Sequence, residues 1–280
     1  MRRTATRPRI AYDTHGDSGS NVLLIMGLGM RGEVWAPQVA ALAKQHCVAT
    51  YDHRGVGASE PSPTALWTMK DMARDAARVM DDLGWERAHL VGVSMGGMVA
   101  QELALLHPTR FMSLTLIATQ AGGPTGWTPP PDGLVNFLRS FAGGGGRLAA
   151  LQQLLYPPEF VASMDAEKMQ QQLALRFGKP APRATIVGQV SAVMRHDTRA
   201  RLVRLRLPCL VVRPGKDRLV HPSRSEDLAR LIPGAELVSL DDAGHGVTFQ
   251  CAEALNALLL SHFAMAEGLA VGAHAPSVWN

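Results

Sequence analysis

Ser94, Asp217 and His245 are of the types that a nucleophile, an orienting acid and a general base require, and each stands in a setting suited to that work. Ser94 is the centre of Gly92-Val93-Ser94-Met95-Gly96-Gly97, between an apolar run at 88–93 and a helically spaced run at 97–107. A serine on such a strand-to-helix turn is held in a strained backbone conformation, and small residues two positions to either side avoid collisions there. The turn also aims the N-terminal dipole of the following helix at a developing anion. A glycine-rich junction is common in α/β proteins, and a hydroxyl is a weak nucleophile until a base takes its proton. The reading therefore depends on partners later in the chain.

His245 lies in Asp242-Ala243-Gly244-His245-Gly246, a loop between a strand at 236–240 and a helix at 248–265. None of the other nine histidines has this strand-loop-helix setting. Asp217, in Pro214-Gly215-Lys216-Asp217, follows a strand at 209–213. It gives the chain order Ser, Asp, His that an open parallel sheet with this turn uses. After the strand at 113–118 stand Thr119 and Gln120, with no carboxylate, and Asp241 and Asp242 are too near His245 in the chain to face its ring. Asp217 would accept the imidazole Nδ1 hydrogen bond, fixing the tautomer and stabilising the imidazolium. Acyl transfer also needs donors for an oxyanion, and fixed backbone amides serve. Met95 supplies one; Gly27-Leu28-Gly29-Met30 lets the backbone approach a ligand, which makes the Leu28 amide the expected second. A tight turn without a ligand is the competing reading of that loop.

These residues need a scaffold. Short apolar strands are expected at 9–12, 22–26, 47–51, 88–93, 113–118, 209–213 and 236–240, with helices at 34–44, 70–83, 97–107, 223–231 and 248–265. Their alternation predicts an α/β fold: a mostly parallel central sheet with helices on both faces. Between residues 120 and 206 the rhythm breaks into turn clusters and helical stretches near 134–141, 148–155 and 166–177. This reads as a helical insertion splitting the core into 1–119 and 207–267. Gly143–Gly146 reads as a mobile turn inside it, and 268–280 as a tail without order of its own.

The composition suits one core with an insertion: 280 residues, 46% hydrophobic. A formal charge of +4 is too small and too scattered to mark a nucleic-acid or membrane surface. No apolar run reaches the roughly 18 residues of a membrane span, and the basic start lacks a leader's apolar core. A soluble, cytoplasmic protein is expected. Cys47, Cys209 and Cys251 read as buried free thiols, and no Rossmann or phosphate-loop spacing or metal cluster appears, so neither cofactor nor metal is implied.

Met26-Gly27-Leu28-Gly29, Asp52-His53-Arg54-Gly55-Val56-Gly57-Ala58-Ser59, the serine turn, Gly215-Lys216-Asp217 and Gly244-His245 together resemble the α/β-hydrolase superfamily over roughly residues 8–265. The likeness is strongest to its small bacterial esterase and lactonase branch, which includes 3-oxoadipate enol-lactonases and anthracycline methylesterases. Met26 departs from the common pattern, in which a histidine precedes the oxyanion glycine. The resemblance implies that the 52–59 loop is architectural, with Asp52 and Arg54 tying loops together. It also implies that the insertion is a cap whose Phe137, Leu138, Phe141 and Phe177 shape a pocket, to which Trp35 would add if it does not pack in the core. Serine at 94, rather than aspartate, argues against epoxide hydrolase or haloalkane dehalogenase chemistry. Hydrolysis of a small-molecule ester or lactone leads. A cofactor-free perhydrolase, a carbon–carbon bond hydrolase and a slow-turnover ligand-binding signalling protein remain open.

Overall fold

The computed structural model describes residues 1–62, 66–123, 131–141 and 146–273. Eight strands form one sheet: β1 (Arg2–Arg3), β2 (Ala11–His15), β3 (Asn21–Ile25), β4 (Cys47–Tyr51), β5 (Ala88–Val93), β6 (Phe111–Ile117), β7 (Cys209–Pro214) and β8 (Glu236–Leu240). Their spatial order is β1-β2-β4-β3-β5-β6-β7-β8. From β4 to β8 every neighbour is parallel, whereas β1 and β2 pair antiparallel at one edge.

The helices are α1 (Ala36–Leu42), α2 (Met69–Asp82), α3 (Met95–Leu106), α4 (Pro131–Arg139), α5 (Gly146–Leu155), α6 (Pro158–Ser163), α7 (Ala166–Phe177), α8 (Arg183–Met194), α9 (Arg199–Leu202), α10 (Ser223–Leu231), α11 (Val247–Gln250) and α12 (Ala252–Ala273). Strand side chains alternate between the sheet's faces, and here both faces are apolar, as burial under helices requires. Along β3, Leu23 and Ile25 join a core with α2 and α3, while Val22 and Leu24 join a second core with α1 and α12. Local signals set several boundaries. Thr68 and Asp71 form a capping box that starts α2. Pro37, at the second position of α1, follows a separate 3-10 turn at Gly32–Trp35, so the helix expected at 34–44 begins as two pieces.

Other expectations shift in the same way. The strand expected at 9–12 lies at Ala11–His15 and gains a two-residue partner at the edge, too short to read from pattern. The last helix is broken at Cys251 and runs on to Ala273, past the expected start of the tail. Residues 143–145 and 274–280 lie outside the described residues, while Gly146 opens α5. Cys209 is buried, but Cys47 and Cys251 are only half-buried, and all three are free. No helix among the described residues is long and apolar enough to cross a membrane.

Between β6 and β7 the chain forms α4 to α9 with no strand among the described residues, and it buries its own apolar cluster around Leu151, Tyr156, Met169, Leu173 and Phe177. It meets the sheet's carboxyl edge closely. Leu155 accepts the Gly246 amide at 2.7 Å. A Cβ on Gly246 would stand 2.3 Å from the Tyr156 ring, so only glycine fits this junction beside His245.

Candidate active site

Ser94 sits between β5 and α3 with φ 56° and ψ −125°, a conformation that L-residues with side chains rarely adopt. The surroundings hold it there. Its amide donates to Ile117 O at 2.9 Å, and Thr119 Oγ1 donates to its carbonyl at 2.7 Å. A Cβ on Gly96 would lie 2.2 Å from Ile25 O, and one on Gly92 2.4 Å from Gly96 O, so the two glycines are steric requirements of the turn.

His245 and Asp217 are both buried and joined by a 2.7 Å bond between Nδ1 and Oδ2. Because a carboxylate only accepts, Nδ1 carries the proton, and Nε2 is left as the free acceptor. Asp217 is itself fixed: Oδ1 accepts the amides of Leu219 and Val220 at 2.7 and 2.8 Å. The rival acids are occupied elsewhere. Asp241 pairs with Arg213 at 3.3 Å and Asp242 with Lys216 at 2.8 Å.

The Gly27–Met30 loop passes directly over Ser94; a Cβ on Gly27 would be 3.3 Å from Ser94 Cβ. The Leu28 and Met95 amides have no acceptor among the described residues. Leu28, Ser94 and Met95 are among the residues that line a side pocket of about 30 Å³, room for one water-sized group. Two side chains brace this loop. His53 Nε2 bonds Met26 O at 2.8 Å, and burial lowers its pKa to about 4, so the ring is neutral and Nε2–H is the donor. From α8, Gln189 Oε1 accepts the Gly29 amide at 2.7 Å.

The 52–59 loop carries the ties expected of it. Asp52 accepts the Gly32 and Ala58 amides, each at 2.9 Å, and buried Arg54 donates to Asp75 at 2.6 Å. Burial pushes the Asp75 carboxyl up, against the pull of Arg54.

Ser94 and His245 open on one cavity of about 1160 Å³. Its floor is the sheet's carboxyl edge and its roof comes from α4, α5, α7 and α8. Phe137, Leu138, Phe141 and Phe177 all line it.

Residues 21–250 match the family described as “alpha/beta hydrolase fold”. The chain belongs to that family. RutD of Caulobacter segnis, whose name assigns it a carbamate hydrolase activity by inference, is 33% identical over 264 residues, 90% of this chain and 96% of that one. The enol-lactonase of Burkholderia xenovorans LB400 superposes with a TM-score of 0.82 at 25% identity, covering 94% of this chain and 100% of its own. A thermophilic esterase of Thermogutta terrifontis gives 0.79 at 25% identity, covering 95% and 99%.

In this α/β-hydrolase Trp35 takes the core alternative and not the pocket one: it is fully buried with Leu42 and Phe263, and its neighbour Val34 reaches the cavity. A Trp one residue out of phase with the cavity wall packs inward whatever its size. Sequence reasoning missed α8 altogether. Its Thr185-Ile186-Val187 start is rich in β-branched residues, which obscured a helical spacing of Ile186, Gln189, Val190 and Val193. That helix brings Ile186, Val187, Val190 and Ser191 to the cavity. Also missed were Arg147 and Arg176, cavity-lining cations whose charge gave no reason to place them inside.

Proposed function

We propose that the protein hydrolyses a small-molecule carboxylic ester or lactone, with Ser94 as nucleophile, His245 as base and Asp217 as the acid that orients it. The observation that carries this reading is a strained serine sharing a largely apolar cavity with a histidine whose far nitrogen is held by a buried carboxylate. Ser94 Oγ attacks the carbonyl carbon while His245 Nε2 takes its proton. The Leu28 and Met95 amides receive the oxyanion. Collapse expels the alkoxide, which leaves with the proton from His245, and the acyl group stays on Ser94. Water, deprotonated by His245, then attacks the acyl-enzyme and releases the acid and the free serine.

The insertion acts as a cap, with Phe137, Leu138, Phe141 and Phe177 selecting the acyl or alcohol portion. Relatives named for lactone, ester and carbamate hydrolysis share attack on a carbonyl carbon, which supports the reaction class and places carbamate esters in the same substrate panel. The deciding experiment measures p-nitrophenyl butyrate and a series of lactones with wild type and Ser94→Ala. A fall in kcat by at least roughly 10³-fold is expected. Equal rates, or fluorophosphonate labelling on a peptide without Ser94, would refute the assignment.

A further inference from the structure

Most cations of this chain that approach burial carry an acid. Arg54 has Asp75, Arg201 has Glu102, and Arg213 has Glu226 at 3.0 Å. Arg147 and Arg176 do not. Both are half-buried and line the cavity, and neither forms an ion pair among the described residues. A guanidinium has five N–H donors. Of these, Arg147 places Nη1 on Phe177 O, and Arg176 places Nε on Gln172 Oε1 at a long 3.4 Å. The lining holds Arg183 as a third cation and, among the described residues, no aspartate or glutamate.

Burial pulls both guanidinium pKa values below the ordinary arginine value, with no carboxylate offsetting it and only the Tyr156 phenol opposing it at Arg176. Such a charge costs free energy unless it is compensated. Arg176 gains part of that compensation from the Phe249 ring, 4.2 Å from its Cζ. Phe249 stands four residues past His245, which puts this cation on the histidine side of the cavity. The two arginines are neighbours, because Arg147 bonds the carbonyl of the residue that follows Arg176.

We infer that Arg147 and Arg176 form an anion subsite, and that the substrate is an ester or lactone bearing a second, free carboxylate. This rests on the ester or lactone reading of Ser94. The forked, planar donors of arginine match a carboxylate in two parallel bonds, and the surrounding apolar wall strengthens that pairing. A neutral substrate would leave Arg147 without a counter-charge and Arg176 with only the Phe249 ring.

Two measurements test it. In the first, kcat/KM is compared for mono-p-nitrophenyl glutarate and its neutral match, p-nitrophenyl valerate, in wild type, Arg147→Met, Arg176→Met and Arg176→Lys. Wild type is expected to favour the glutarate at least about tenfold. Each Met variant should lower glutarate kcat/KM by about 10- to 100-fold, mainly through KM, and leave valerate within about twofold. Lys should recover part of the loss. Equal wild-type rates on the two esters, or equal losses on both, overturn the inference.

The second measurement is calorimetric binding of monomethyl glutarate to Ser94→Ala, alone and with Arg176→Met. A Kd at least about tenfold weaker in the double variant supports the subsite whatever the reaction proves to be, and an unchanged Kd or no binding refutes it. Ser94-independent turnover alongside selective binding would sink the proposed reaction and spare the subsite. Normal thermal unfolding of each variant shows that the effects are local.

Discussion

The floor and the roof of the cavity are held by different kinds of force. On the floor, Ser94 and Asp217 are fixed largely through backbone amides and carbonyls at the sheet edge, and a single added Cβ at Gly96 would meet Ile25 O at 2.2 Å. In the roof, α4, α5, α7 and α8 close over the site largely through side chains, and some apolar ones that line the cavity are also open to solvent: Leu138 is 60% exposed and Val187 67%. Hydrogen bonds and hard contacts fix angles, whereas apolar packing fixes volume more loosely. Such a floor is suited to one reaction geometry and such a roof to a choice of substrate.

Breaking the floor should give the largest effect. Asp217→Asn keeps the shape of the side chain but favours the wrong histidine tautomer, so kcat should fall by about 10³- to 10⁴-fold with secondary structure unchanged by circular dichroism. A fall of less than tenfold would mean that another acid orients His245.

Acid separates the two regions next. Burial lowers His53, His89 and His196 to about 4; the first two belong to the core, and His196, at the end of the insertion, sits against Glu102 of α3 at 3.9 Å. No histidine lies between Pro131 and Arg195. The unfolded chain, with histidines near 6.5, binds these protons first, so stability is full above that value and drains as pH falls towards 4. Each histidine withdraws on the order of a few kcal/mol. Urea midpoints should drop between pH 7 and pH 4.5, with core-strand amides losing exchange protection; a flat profile contradicts the burial argument.

Gln189 on Gly29 is one of the contacts that cross from roof to floor, beside Leu155 on Gly246 and Thr185 on Gly55, and cutting it should sharpen the division. Gln189→Leu removes the acceptor from Gly29 and frees the loop that carries the Leu28 amide. A fall in kcat of about tenfold or more with KM nearly constant is expected, restored by Gln189→Glu, which keeps an acceptor oxygen. Equal changes in kcat and KM, or no rescue, would make Gln189 a packing residue only.

The smallest effect belongs to the exposed roof. Leu138→Ala should change stability by no more than about 0.5 kcal/mol, yet raise KM for long acyl esters more than for acetate. An unchanged chain-length profile would remove Leu138 from substrate selection.

The candidate site was legible where chemistry demands a residue type in a fixed local frame. Glycines at 92 and 96, a serine on a strand-to-helix turn and loops after the strands now called β7 and β8 all show in a short window, because each constraint acts within a few residues. Trp35 shows the limit: its type suits core or pocket, and its phase on the 3-10 turn put it in the core. Helix α8 was illegible because β-branched residues weaken helical propensity and packing against the sheet side overrides it.

By itself, then, the chain specified the parallel sheet, its flanking helices and the order of three chemically suited residues, since period and turn chemistry are local. Tertiary structure decided that Trp35 packs in the core, that α8 braces the Gly27–Met30 loop and which cations lie inside the cavity. Those outcomes depend on contacts between residues tens to more than a hundred positions apart, such as Gln189 on Gly29, that no local pattern encodes.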